Sequence, residues 1–496
     1  MKTSNSIIYT CVLAALTLAG CEDFLDKNLQ GELTQATFPV SEEDALLATN
    51  AVYSTLREWH YHSGGYPILD IMSDDAIKGS NPNDQIATIG AYDNFDITTT
   101  QDGLDRWWAT LYLGIKRANV VIEKVPGIEM DPELRDRYIG EARFLRGLFY
   151  FDLVRAWGDV PKVTTITPPL KLVRSSKEEI YGLIEEDLLY AVDHLVEKSE
   201  QPLTDYGRAT KGAAKALLAK VFLFQQDFTN AEKYALEVIA SEEYDLEPVY
   251  ADANGVNGEQ GIESVLEIGA LGVEGGDGPG NQYANTQGVR GSPNRGWGFN
   301  RPTLDLRNSF ETGDPRLEAT IIDLGEILDG IEIKGDGTTP DETRDNEDNI
   351  IEVECYNQKV WVPGDNTITQ YAHNRRLIRY ADVLLMAAEA LNENNKSGQA
   401  LQYLNLVRER ARQENTSILP DITETGKDAL RDIIIRERRS ELAMEGHRFW
   451  DLVRTGKAAS VLGPLGFVEG KNEWLPVPQN EIDISQGTLT QNPNWE

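Results

Sequence analysis

The sequence predicts a mainly α-helical fold in which two loop-rich segments carry a few short strands. Three observations support this. Apolar residues recur at helical spacing through most of the chain after Asp102. Several of those runs open on a capping residue and stop at Gly or Pro. Between them, Trp59–Gln101 and residues 245–375 show no sustained period and are rich in Gly, Asn and Asp.

Glu42–Trp59 has a helical period through Ala45, Leu46, Thr49, Val52, Tyr53 and Leu56. A helix over 103–125 carries Trp108, Leu111, Tyr112, Ile115, Ala118, Asn119 and Ile122 on one stripe. Trp108 reads as core, whereas Trp107 fits either side. Asp131-Pro132 supplies an N-cap and a first-turn proline for a helix that runs to about Trp157 and stops at Gly158 and Pro161. Further helices are predicted over Ser176–Lys198, Arg208–Gln226, Asn230–Ala240, Arg376–Asn392, Gly398–Gln413 and Gly426–Glu445. Val265–Ile268 and Glu352–Glu354 read as short strands, and the tail from Gly463 has no helical period. Ala214–Ala240 and Tyr380–Ala411 look like tetratricopeptide repeats, because small alanines on the first helix admit the second closely. Generic helical hairpins would give the same pattern.

The start of the chain has its own organisation. Lys2 precedes the uncharged, mostly apolar run Ile7–Leu18, and then come Ala19, Gly20 and Cys21. That run is shorter than the roughly 20 apolar residues a membrane span needs, so it reads as a signal-peptide core. Leu18-Ala19-Gly20-Cys21 resembles the lipobox of bacterial lipoproteins, with Cys21 as the lipidated residue. The organisation follows: signal peptide 1–20, lipid-anchored tether 21–41, an N-terminal helical region 42–244 and a C-terminal region 245–496. The sequence has 3 Cys, and once Cys11 is cleaved away and Cys21 lipidated, Cys355 has no disulfide partner.

A formal net charge of -34 makes nucleic acid an unsuitable partner. No GxSxG, HExxH or P-loop pattern is present. His60 and His62 flank Tyr61 with no third ligand at metal-site spacing, and among 81 acidic residues paired carboxylates are expected by chance. Neither Asp252–Glu259 nor Asp341–Asp348 has the EF-hand order of ligands, so both read first as solvated loops, with a calcium ion in one of them as the alternative. No catalytic residue, metal or cofactor is called for.

The aromatics of the two irregular segments suggest binding. Sugars present apolar CH faces that stack on aromatic rings, while their hydroxyls need Asn, Asp, Gln or Arg partners. Trp59, Tyr61 and Tyr66 share the first segment with Asp74 and Asp75, and Tyr92, Asn94 and Phe95 close it. Trp297 and Phe299 lie in the second among Asn281, Gln282, Arg290, Asn294 and Arg295. Taken singly, each ring could as well pin its own loop.

End to end, the chain resembles the SusD/RagB family of outer-membrane nutrient-binding lipoproteins. The resemblance rests on Cys21–Asp26, Trp108–Asn119, Glu141–Pro161, Arg208–Phe224, Trp297–Arg316, Arg379–Asn392, Arg436–Asp451 and Leu475–Asn480. It implies four tetratricopeptide-type hairpins behind a loop-rich ligand face. It implies an oligo- or polysaccharide ligand, gripped by residues around 59–95 and 281–301. The site set is Trp59, Tyr61, Tyr66, Asp74, Tyr92, Asn281, Arg295, Trp297 and Phe299. It further implies a SusC-like TonB-dependent transporter as partner, on which the protein sits as a hinged lid. The place implied is the outer membrane, with the protein lipid-anchored and facing outward through Glu22-Asp23. The acidic balance tilts the ligand toward a neutral glycan such as a β-glucan. The alternative is a peptide-binding lid of the RagB type.

Overall fold

The computed structural model describes residues 38–62, 68–169, 171–271, 282–364 and 372–495. Its scaffold is helical. Helix α1 (Glu42–Ser54) starts at a capping box, in which the Asp44 amide donates to the Ser41 hydroxyl at 3.2 Å and the Ser41 amide to the Asp44 carboxylate at 3.2 Å. The helical pattern there ends earlier than its apolar spacing suggests. Trp59 opens a separate turn of helix, Trp59–His62, beyond a tight turn at Thr55–Arg57.

Helix α2 (Asp102–Lys124) packs on α3 (Pro132–Trp157), and α3 also packs on α4 (Lys177–His194). Asp131 caps α3 by accepting from the Leu134 amide at 2.9 Å, and Gly158, at φ 69, terminates it. Trp107 and Trp108 are both buried, with ring centroids 5.0 and 5.1 Å from Trp157.

The two repeat-like segments are helical hairpins: α5 (Lys211–Phe224) with α6 (Phe228–Ala240), and α7 (Tyr380–Glu393) with α8 (Ser397–Arg412). Ala213, Ala214, Ala216 and Ala219 of α5 and Ala387, Ala388 and Ala390 of α7 are fully buried. Removing side-chain bulk there lets the backbones come close. Helix α7 bridges the halves, because it also packs on α6 and on α9 (Lys427–Leu442). The short α10 (Arg448–Arg454) follows at the Glu445–His447 junction.

One helix boundary needs correction. Arg375–Arg379 is a strand pairing antiparallel with β2 (Ser264–Ile268), and α7 begins only at Tyr380. Its arginines point into the protein and are matched there by carboxylates, Arg376 by Glu267 at 3.6 Å and Arg379 by Glu441 at 3.1 Å. A charged strand buried on ion pairs leaves no alternating apolar signal for a sequence reading to find. The tail is also more ordered than its lack of period suggests, with a short helix at Gln479–Ile484.

The pairing that shapes the ligand face joins β1 (Ala76–Gly79) to β3 (Phe299–Pro302), antiparallel, with Gly79 opposite Phe299. It brings the two irregular segments together. A second pairing, Ile321–Asp323 with Cys355–Asn357, lies behind it. The acidic stretch 341–348 forms a hairpin, Glu342–Arg344 with Ile350–Val353, in which Asp345 accepts from the Glu347 and Asn349 amides and the Asn349 side chain.

Candidate glycan-binding cleft

An open cleft of about 550 Å³ lies where the two irregular segments meet. Trp59 and Trp297 form its aromatic wall, half-buried, with ring centroids 5.2 Å apart and planes at 49°. Trp297 is held by its backbone: its amide donates to the Asn285 carbonyl at 2.8 Å, and the Gly298 amide to Gly288 at 3.0 Å. Its glycine neighbours are structural. A Cβ on Gly296 would lie 2.6 Å from the Asn285 carbonyl oxygen. On β1, Gly79 at φ +69 lies so near the same loop that a Cβ would come 2.4 Å from the Gly298 carbonyl oxygen.

The polar side of the cleft comes from three places. Asp84, Gln85 and Thr88 line it from the turn after β1. Gln101 and Asp102 line it from the start of α2; Gln101 donates to the Thr88 carbonyl at 2.6 Å, and Asp102 accepts from Arg106 at 2.9 Å. Arg290 and Asn294 line it from the second segment, and Arg290 lies 3.6 Å from Asp84 and 3.5 Å from Asp336. Lys78 sits just behind, donating to the Gly79 and Asn81 carbonyls at 2.7 and 3.0 Å and lying 5.9 Å from the Phe299 ring. Beside Trp59, burial and then Arg106 push the His60 imidazole below its ordinary pKa. It therefore stands neutral at pH 7, with a buried Nδ1 that has no hydrogen-bond partner among the described residues.

Of the residues singled out from sequence, Trp59, Tyr92, Trp297 and Phe299 meet in this cleft. Tyr92 and Phe299 are buried and form its floor. Three others lie elsewhere. Tyr61 is buried in the helical core, edge-on to Phe149 at 6.1 Å. Asp74 is committed to Arg448 at 2.8 and 2.7 Å and to Arg439 at 3.0 Å. Arg295 is buried with its guanidinium 5.5 Å from the Trp361 ring. Tyr66, Asn281 and Cys21 lie outside the described residues. Sequence reasoning did not single out Asp84, Gln85, Thr88, Gln101 and Asp102, which are polar residues in polar loops and carry no distinguishing local signal.

An indole pair beside amides, carboxylates and a guanidinium, on a rigid helical scaffold, defines a binding protein for a polar ligand with apolar faces. Comparison with known proteins gives this class its family. A family model described as "SusD family" matches residues 262–495, and one described as "Starch-binding associating with outer membrane" matches residues 23–223. A solved laminarin binding SusD-like protein is 31% identical, covers 92% of this chain and 100% of its own, and superposes with a TM-score of 0.78. Surface glycan-binding protein A from Bacteroides thetaiotaomicron, solved in complex with laminarihexaose, is 27% identical with a TM-score of 0.75, covering 91% and 100%. A SusD-like protein from Bacteroides ovatus is 29% identical over 91% of this chain and 82% of its own. The chain belongs to the SusD family. It is a glycan-binding protein associated with the outer membrane and not an enzyme. No helix among the described residues is long and apolar enough to cross a membrane.

Proposed function

We propose that this protein captures a neutral β-glucan of the laminarin type at the cell surface, in the Trp59–Trp297 cleft. It hands that glycan to a SusC-like TonB-dependent transporter, on which it sits as a hinged lid. The observation that carries this reading is the indole pair, whose 49° tilt offers two platforms for successive sugar rings of a curved chain. Neutral hydrogen-bonding groups surround it, among them Gln85, Thr88, Gln101 and Asn294. A net charge of -34 favours an uncharged ligand over an anionic one. The laminarin-binding and laminarihexaose-bound relatives supply the choice of linkage. The remaining parts follow from the resemblance: lipid on Cys21, an outward orientation through Glu22-Asp23, slack for the lid in residues 21–41, and four tetratricopeptide-type hairpins as its frame.

Calorimetric titration with laminarihexaose, and with a charged oligouronide as control, tests the ligand. Binding of the first and not the second is expected, with Trp59→Ala and Trp297→Ala each weakening it at least tenfold, about 1.4 kcal/mol. Unchanged binding in both variants overturns the cleft. Binding of a peptide with no response to any glycan returns the RagB-type alternative. Co-purification with the transporter tests the lid, and the protein migrating alone from solubilised outer membranes overturns it.

A further inference from the structure

The sequence has 9 tryptophans, and their surroundings separate them into kinds. Trp107, Trp108, Trp157, Trp450 and Trp495 are buried. Trp361 is half-buried but engaged, lying 5.5 Å from the Arg295 guanidinium and donating its indole N–H to Asp329 at 2.7 Å. Trp59, Trp297 and Trp474 remain. All three are half-buried, line open clefts, and have no hydrogen bond from the indole N–H among the described residues. The first two form the site already described. Trp474 lines a different cleft of about 400 Å³ that shares no lining residue with the first.

This second cleft is built like the first. The Trp474 ring is seated over Gly158, at φ +69, where a Cβ would come 3.1 Å from the indole nitrogen. Its plane is therefore set by backbone. Tyr181 and Phe224 extend the aromatic surface, and the Tyr181 hydroxyl has no hydrogen-bond partner among the described residues. Gln225 and Gln226, where α5 ends, add amides; the Gln225 side chain donates to Glu185 at 2.8 Å, which leaves its carbonyl oxygen available. The guanidinium beneath is already committed, since Arg454 donates to Glu389 at 2.7 Å and to Asp451 at 2.8 Å. Of the other charged residues lining the cleft, Arg155 pairs with Asp152, and Lys177, 6.0 Å from the Trp474 ring, is balanced by Glu178 and Glu473. An uncharged ligand therefore suits it better than an anion, and the volume is within the range of small-ligand sites.

We propose that the Trp474 cleft is a second saccharide site, taking one or two hexose units of the neutral glycan that the Trp59–Trp297 cleft binds. The ligand class rests on the reading given under Proposed function, while the site rests on the geometry of Trp474, Tyr181 and Gln226. With one half-buried indole in place of two, it binds more weakly than the first. The test is a laminarihexaose titration of the protein labelled with 15N at its tryptophan indoles, with the Trp474 signal assigned by Trp474→Phe.

The Trp59 and Trp297 signals are expected to shift first and the Trp474 signal at higher ligand. Tyr181→Phe should weaken the second event severalfold without moving the first, and Trp474→Ala should abolish it. A Trp474 signal that stays in place well beyond saturation of the first cleft overturns this inference and leaves the first site standing. Movement of Trp474 alone, unaffected by Trp297→Ala, upholds the second site and overturns the first. No movement of any of the three overturns both for this glycan class.

Discussion

Arg379 and Glu445 are joined by two parallel hydrogen bonds, Nε to Oε2 at 2.8 Å and Nη2 to Oε1 at 2.7 Å, where neither side chain meets solvent. Arg379 also reaches Glu441 at 3.1 Å and pairs with Glu263. Lys359 adds a contact to Glu445 at 2.6 Å, and Arg410 one to Glu263 at 2.8 Å. The network ties the strand before α7 to the end of α9 and to the loop after Cys355–Asn357. It fastens the ligand-bearing half to the helical frame.

Arg379→Leu should therefore destabilise the protein strongly, because three buried carboxylates lose a shared cation. A buried pair broken on one side costs about 3–5 kcal/mol. Arg379→Lys keeps the charge and loses the bidentate geometry, so it should fall between the two. Urea unfolding followed by circular dichroism measures both. A leucine variant as stable as the parent would mean that the network contributes nothing net.

The helical frame was legible because its signals are local. Asp131-Pro132 opens a helix, Gly158 ends it, and alanines mark the close seams of α5 and α7. The candidate cleft was legible only in part. Trp59 and Trp297 announced themselves as aromatics in Gly- and Asn-rich loops, but nothing local states that Gly79 pairs with Phe299. That long-range pairing decides which loop residues face each other. Tyr61 and Asp74 belong to the same irregular stretch of sequence as Trp59, yet the fold turns one into the core and the other onto Arg448. Sequence proximity could not separate them.

Asp70 gives a pH-dependent stability. Its carboxylate accepts from the Gly446 amide at 3.0 Å, its other oxygen is buried without a partner among the described residues, and burial followed by Asp75 raises its pKa to about 8. The sign follows from the protons bound. Between the unfolded value near 3.8 and about 8 the folded state holds the extra proton, so this contribution is complete below pH 3.8 and is lost as pH rises. His447 acts oppositely: burial and then Lys220 lower its pKa to about 3, so its contribution is lost as pH falls from 6.5. Asp70→Asn keeps the acceptor for Gly446 without the ionisation. It should raise stability by about 1–3 kcal/mol at pH 8, the gain shrinking toward pH 4. Thermal melts across that range test this, and a gain independent of pH would refute the assignment to Asp70.

The proposed anchor predicts a separation of two properties. Cys21→Ala should move the protein from the membrane to the soluble fraction while leaving laminarihexaose affinity unchanged, because the described residues that line the cleft run from Trp59 to Phe299. Fractionation and titration of the same variant report on both. Loss of affinity along with the anchor would assign the tether a part in binding.

Gly79 tests whether the indole pair depends on the β1–β3 contact. A methyl group there meets the Gly298 carbonyl oxygen at 2.4 Å and forces an L residue to φ +69. Both penalties fall on the strand edge that supports Trp297, and neither reaches the helical core. Backbone strain of this kind costs about 1–3 kcal/mol. The loop can relieve the clash only by moving Gly298, and with it Trp297, away from β1. Gly79→Ala should therefore weaken laminarihexaose binding about as much as Trp297→Ala does, although both tryptophans remain. Gly330→Ala provides the control, because it has φ +78 but no atom within 4 Å of the added Cβ, and it should bind normally. Equal affinity in Gly79→Ala and the parent would mean that the cleft tolerates displacement of its second indole, and the tilt between Trp59 and Trp297 would then not select the ligand.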